Sequence, residues 1–210
     1  MNTACVGSRM SLRRGFTLVE ILVVVMVIAL LMMVGLNGFR KTWESQEIRA
    51  SAMKLASDLA LAAQLSVKLS RPVEVRFYKF MDPAIASPQP QFRAYQIVER
   101  DVKTNVATPL YESQRFEGTT ILSSYKKFST LLFGRSTPRS QKEDPEIGLG
   151  EYEYVSVEFL PDGTTNLEPD VSEPWTLTLG PARWIDDPGV TPKDFQCLGI
   201  DPRSGVVRIY

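Results

Sequence analysis

Residues 13–36 read RRGFTLVEILVVVMVIALLMMVGL, and this stretch limits the fold more than any other. From Phe16 onward it is apolar except for Thr17 and Glu20, and its length suits one helical bilayer crossing at about 20 residues. Arg13 and Arg14 stand just before the run, so the positive-inside rule predicts that the leader, residues 1–15, stays in the cytoplasm. Everything beyond the span then lies on the far side of the membrane. A secretory signal peptide would have a shorter apolar core and a small-residue cleavage site after it; no Ala-x-Ala follows Leu36. A carboxylate at the bilayer costs a few kcal/mol, so Glu20 is expected to be paired or to serve a purpose.

The helical pattern continues past the membrane. No proline or glycine occurs between Lys41 and Ser70. Ile48, Ala52, Leu55, Leu59, Ala62 and Ser66 recur at alternating steps of four and three, which predicts one buried stripe with Ala56 and Ala63 beside it. Glu47, Lys54, Asp58 and Lys68 are off that stripe and are expected to face water. Arg71-Pro72 ends the helix, because the residue before proline is pushed out of the α region. Gly35, Asn37 and Gly38 form the weak point between an apolar half and an amphipathic half. A single helix from Phe16 to about Ser70 would be roughly 80 Å long.

After Pro72 the period changes to two. VEVRFYKF (73–80) sets Val73, Val75 and Phe77 against Glu74, Arg76 and Tyr78, and FRAYQIVE (92–99) follows a proline-rich loop, predicting a hairpin. Further strands are expected at 119–122, 152–160, 175–180, 195–200 and 205–210. Pro161-Asp162-Gly163 and Pro202-Arg203-Ser204-Gly205 are turns. Residues 134–151 are polar, carry Gly and Pro, and read as a loop. The expected class is α+β: a long N-terminal helix, membrane half plus amphipathic half, packed on an antiparallel β domain. The segments are a leader over 1–15, a transmembrane and assembly helix over 16–38, an amphipathic helix over 39–71 and an extracytoplasmic β domain over 72–210.

Composition narrows the chemistry. The chain has 24 basic and 24 acidic residues and no histidine. That excludes histidine-based triads and imidazole ligands, and it leaves no basic surplus for nucleic acid as a partner. Removing the leader, with Arg9, Arg13 and Arg14, leaves a net charge of about −3. Cys5 lies in the leader and Cys197 near the C-terminus, so no internal disulfide is expected after processing, and Cys197 reads as a small buried hydrophobe. Asp186-Asp187 are the one pair with a calcium-like look, but no further clustered oxygen ligands follow, and a solvated turn is the simpler reading. Trp175 and Trp184 read as core and rim, and Glu151 and Glu153 as the wet face of a strand. No nucleophile–base constellation appears, so neither enzymatic activity nor a cofactor is expected.

The combination Arg13-Arg14-Gly15-Phe16-Thr17-Leu18-Val19-Glu20, leading into an apolar helix, resembles the signal of type IV pilins and type II secretion pseudopilins. The resemblance implies cleavage by a prepilin peptidase between Gly15 and Phe16 and methylation of the new amine, with Glu20 as fifth residue of the mature chain. A glycine before the cut suits this, since its bare backbone can approach a protease closely. In a bundle of parallel helices, Glu20 can meet the α-amine of Phe16 on a neighbouring subunit and set axial register. The later pieces SRPVEVRF, EFLPDGTTN and GIDPRSGVVRIY are similar to minor pseudopilins of the H type and FimT-like pilins, and RPVEVRFYKFMDP with FRAYQ to the prepilin-like protein D of the Verru_Chthon cassette. Many major pilins have a proline midway along the membrane helix; Gly35 and Gly38 stand near that place here.

The expected function is a membrane-anchored structural subunit of a type IV pilus-like or type II secretion-like filament. It would be single-pass in the inner membrane, with a periplasmic C-terminal domain and with lipid and other pilins as partners. The alternative is a single-pass envelope protein that does not polymerise and whose β domain binds an exported substrate or surface ligand.

Overall fold

The computed structural model describes residues 17–83, 85, 89–101, 104, 106–133, 139–143, 149–169, 173–185 and 190–210, with backbone alone at 34–41, 139–143 and 185. Helix α1 runs Leu18–Leu69, and its backbone stays helical through Gly35–Gly38. The chain divides into two units, Met1–Lys41 and Thr42–Tyr210.

In the second unit, α1 packs on one ten-stranded antiparallel sheet. Its strands are β1 (Val73–Phe80), β2 (Gln91–Arg100), β3 (Ala107–Pro109), β4 (Gln114–Arg115), β5 (Thr120–Leu122), β6 (Arg139–Glu143), β7 (Glu151–Phe159), β8 (Trp175–Pro181), β9 (Gln196–Ile200) and β10 (Val207–Ile209). The order across the sheet is β10-β9-β8-β5-β2-β1-β7-β6, while β3 and β4 pair with β2 off this path. Short 3-10 turns occur at Thr130–Phe133 and Ala182–Ile185. The predicted strands all form, within one or two residues of their expected ends. In the expected loop over 134–151, however, Arg139–Glu143 forms β6 against β7. An edge strand is held by backbone hydrogen bonds and is commonly charged, so RSQKE carries no apolar alternation to announce it.

The helical stripe is buried as expected: Ile48, Ala52, Leu55, Leu59, Ala62 and Ser66 are all 2% exposed or less. It rests on Val73, Val75 and Phe77 of β1, Tyr95 and Ile97 of β2, Val155, Val157 and Phe159 of β7, and leucines of β8 and β9. Small Ala52 and Ala62 let the helix approach, while Leu55 and Leu59 fill the space. Burying each leucine contributes about 1.5–3 kcal/mol. The helix ends at Ser70, whose φ of +52° turns the chain into Arg71-Pro72. Ser66 then donates its hydroxyl to the Leu160 carbonyl at 3.1 Å, tying the end of the helix to the turn after β7.

That turn meets the last one in the chain. Thr165 donates its N–H (2.9 Å) and its hydroxyl (3.1 Å) to the Pro202 carbonyl. Asp162 accepts from the Thr164 N–H and hydroxyl, and Asp201 from the Arg203 N–H and Ser204 hydroxyl. These donors hold both carboxyls below the usual aspartate value, with the hydroxyl bond as the largest cause in each case.

The second face of β1 is covered as well. Glu74 and Tyr78 are buried there, and Arg76 is half-buried. Tyr78, Phe80, Ala94, Leu149 and Tyr152 form a smaller core there. Glu74 is bonded by Arg76 at 3.0 Å and Arg100 at 2.9 Å, and Arg100 also meets Glu158 at 3.1 Å. Burial opposes ionisation of Glu74, but Arg76, Ser156 and Arg100 outweigh it and hold the carboxyl below its ordinary range. Glu158 goes the other way, raised chiefly by burial. Asp58, expected to face water, is half-buried and accepts the Tyr95 hydroxyl at 2.6 Å. Burial and that carboxylate both push the Tyr95 phenol up. Trp184, expected at the rim, is buried like Trp175, and Cys197 is a free thiol only partly covered. Glu151 and Glu153 do face water.

Candidate processing and assembly segment

The first unit is built from one feature, the helix start. Thr17 stands just before α1, and its hydroxyl oxygen accepts the Glu20 N–H at 3.2 Å while its carbonyl accepts the Ile21 N–H at 3.2 Å. This is an N-cap: a threonine oxygen satisfies one of the backbone donors that the first turn leaves open. Glu20 lies in that first turn, where the partial positive charge of the helix end favours a carboxylate.

From Ile21 to Met33 the helix is apolar on every side. Leu18, Val19 and every large apolar residue from Ile21 to Met33 are exposed, from 45% at Ile28 to 81% at Leu18. A helix that is hydrophobic all round belongs inside lipid or among other helices, because water stabilises no face of it. Among the described residues no helix is long and apolar enough to cross a membrane. Residue 16 and residues 34–38 of the expected span lie outside those whose side chains are described.

The other predicted site residues are distributed as follows. Arg13, Arg14, Gly15 and Phe16 lie outside the described residues, as do Asp186 and Asp187. Among the described residues no group of three or more His, Cys, Asp or Glu side chains is placed to hold a metal. Sequence reasoning did not find the Glu74–Arg76–Arg100–Glu158 cluster. The one available signal was Glu74-x-Arg76 on a single strand face, which a wet face would show equally.

Residues 10–36 match the family model described as the prokaryotic N-terminal methylation motif. The chain carries this methylation motif at its N-terminus. No curated protein matches the sequence. Two solved structures are similar in shape. The type IV minor pilin FimU of Pseudomonas aeruginosa is 13% identical with a TM-score of 0.44, covering 79% of this chain and 89% of that one. The minor pseudopilin EpsH from the type 2 secretion system of Vibrio cholerae is 12% identical with a TM-score of 0.42, covering 78% of this chain and 96% of that one.

Proposed function

We propose that this chain is a membrane-anchored minor pilin or pseudopilin, a structural subunit of a type IV pilus-like or type II secretion-like filament and not an enzyme. The observation that carries the reading is the capped apolar helix start: Thr17 caps, Glu20 follows in the first turn, and an all-round apolar helix continues within a matched methylation motif. On this reading residues 1–15 are removed by prepilin peptidase at Gly15, and Phe16 becomes a methylated N-terminus. Arg13 and Arg14 hold the cut on the cytoplasmic side of the inner membrane. Residues 16–38 span the lipid before assembly, and residues 72–210 form the periplasmic domain.

Assembly then has a defined physical basis. The apolar helix leaves lipid only for contact with other such helices, and Glu20 is neutralised by the Phe16 amine of a neighbouring subunit. A charge pair in low dielectric has a steep distance dependence, so it sets axial stagger more than it adds stability. The test is in-membrane cysteine crosslinking between subunits, comparing wild type with Glu20→Ala. Loss of ordered crosslinks in the variant, with normal folding of the β domain, is the expected result. Equal crosslinking in both would remove Glu20 from assembly.

A further inference from the structure

We infer that the cavity between Gln91 and Trp184 on the β domain is a binding site for a single uncharged sugar ring, which no comparison assigns. The cavity holds about 170 Å³ and is lined by Gln89, Gln91, Ile121, Ser123, Ser124, Tyr125 and Trp184. Every one of these side chains is uncharged. Among the described lining residues a zwitterionic amino acid, a nucleotide or a phosphate would find no countercharge, and desolvating its charges would be unfavourable. What the lining offers is neutral hydrogen-bonding groups beside aromatic surface, the chemistry that holds a polyhydroxylated ring.

Two polar groups of this wall, on Trp184 and Gln91, are poorly satisfied among the described residues. The Trp184 Nε1–H is buried, the residue being only 5% exposed, and it has no hydrogen-bond partner among the described residues. Among the described residues the side-chain amide of buried Gln91 makes two long contacts, donating to the Gln89 carbonyl at 3.4 Å and accepting the Ser124 hydroxyl at 3.5 Å. Folded proteins pair nearly all buried polar groups, so an indole donor and a marginally bonded amide around one cavity point to an external partner. The aromatic part is held in place. Trp184 packs on Phe128 with ring centroids 4.8 Å apart, and it covers Gly180 so closely that a Cβ there would lie 2.4 Å from the indole. Tyr125, also in the lining, is 44% exposed and its ring is tilted against Phe128 with centroids 6.1 Å apart, which leaves part of its aromatic surface to an incoming ring.

The test uses the full mature chain in phosphocholine micelles, since glucoside detergents would compete. D-glucose is titrated across the millimolar range, and the indole ¹H–¹⁵N resonances of Trp43, Trp175 and Trp184 are followed. A saturable shift confined to Trp184 is expected. Tyr125→Ala, at an exposed position, should weaken binding about fivefold while leaving the rest of the spectrum dispersed and unchanged. Glucose 6-phosphate should bind more weakly than glucose. An unmoved Trp184 resonance would overturn the inference. So would equal shifts of all three indoles, a Tyr125→Ala variant that binds unchanged, or a preference for the phosphorylated sugar.

Discussion

Gly205 lies close against Gly163: a Cβ on Gly205 would sit 3.2 Å from the Gly163 carbonyl oxygen and 3.3 Å from the Phe159 ring, a tight fit. The two turns that the sequence marks, Pro161-Asp162-Gly163 and Pro202-Arg203-Ser204-Gly205, are therefore one interlocked piece. Thr165 closes it by donating twice to Pro202, and Ser66 fastens it to the helix through Leu160. The C-terminal hairpin is thus joined to the end of the helix through the turn that follows β7.

Substitutions at the two glycines separate space from backbone strain. Gly205 has φ +63° and a crowded Cβ position, whereas Gly163 has φ +86° and nothing within 4 Å. Gly163→Ala should cost about 1 kcal/mol from strain alone, and Gly205→Ala about 2–3 kcal/mol. Urea unfolding of the two variants measures the difference; equal costs would show that the contact adds nothing.

The helix face makes a second contrast. Leu59 is fully buried against the sheet, and Met53, six residues earlier on the same helix, is 50% exposed. Leu59→Ala should destabilise the β domain by about 2–5 kcal/mol, while Met53→Ala should stay within about 0.5 kcal/mol. Denaturation midpoints at constant m-value provide the comparison.

Glu74 gives a pH dependence whose sign can be worked out. Its folded value is lowered from an ordinary 4.5, so its contribution is present above that value and is lost as pH falls through the folded one. Glu158 is raised, so its contribution is present below 4.5 and is lost as pH rises through its folded value. Glu74→Gln should cost about 3 kcal/mol at neutral pH, because Arg76 and Arg100 lose their shared carboxylate. It should also flatten the fall in thermal stability below about pH 4.5. Melting curves between pH 3 and 7 check both, and an acid-side slope equal to that of wild type would contradict the assignment.

The fold was legible where apolar spacing decides it. Ile48 through Ser66 step at four and three because one helix face meets one sheet, and Val73, Val75 and Phe77 alternate because their side of β1 is the core. The same alternation left the burial of Glu74 and Tyr78 open, since a period of two separates the faces of a strand without saying whether the second is covered. β6 was illegible because RSQKE pairs through its backbone at the sheet edge. The assembly segment is the reverse case. Its signal in Arg13–Glu20 is local and chemical, so it could be read without knowing anything of the sheet it carries.

The central claim is that the chain is cut after Gly15 and joins other subunits through the helix that begins there. Mass spectrometry of the mature protein from its native host tests this most directly. The account predicts a chain that begins at Phe16 with a methylated α-amine; an intact chain beginning at Met1, or a first residue other than Phe16, would contradict it.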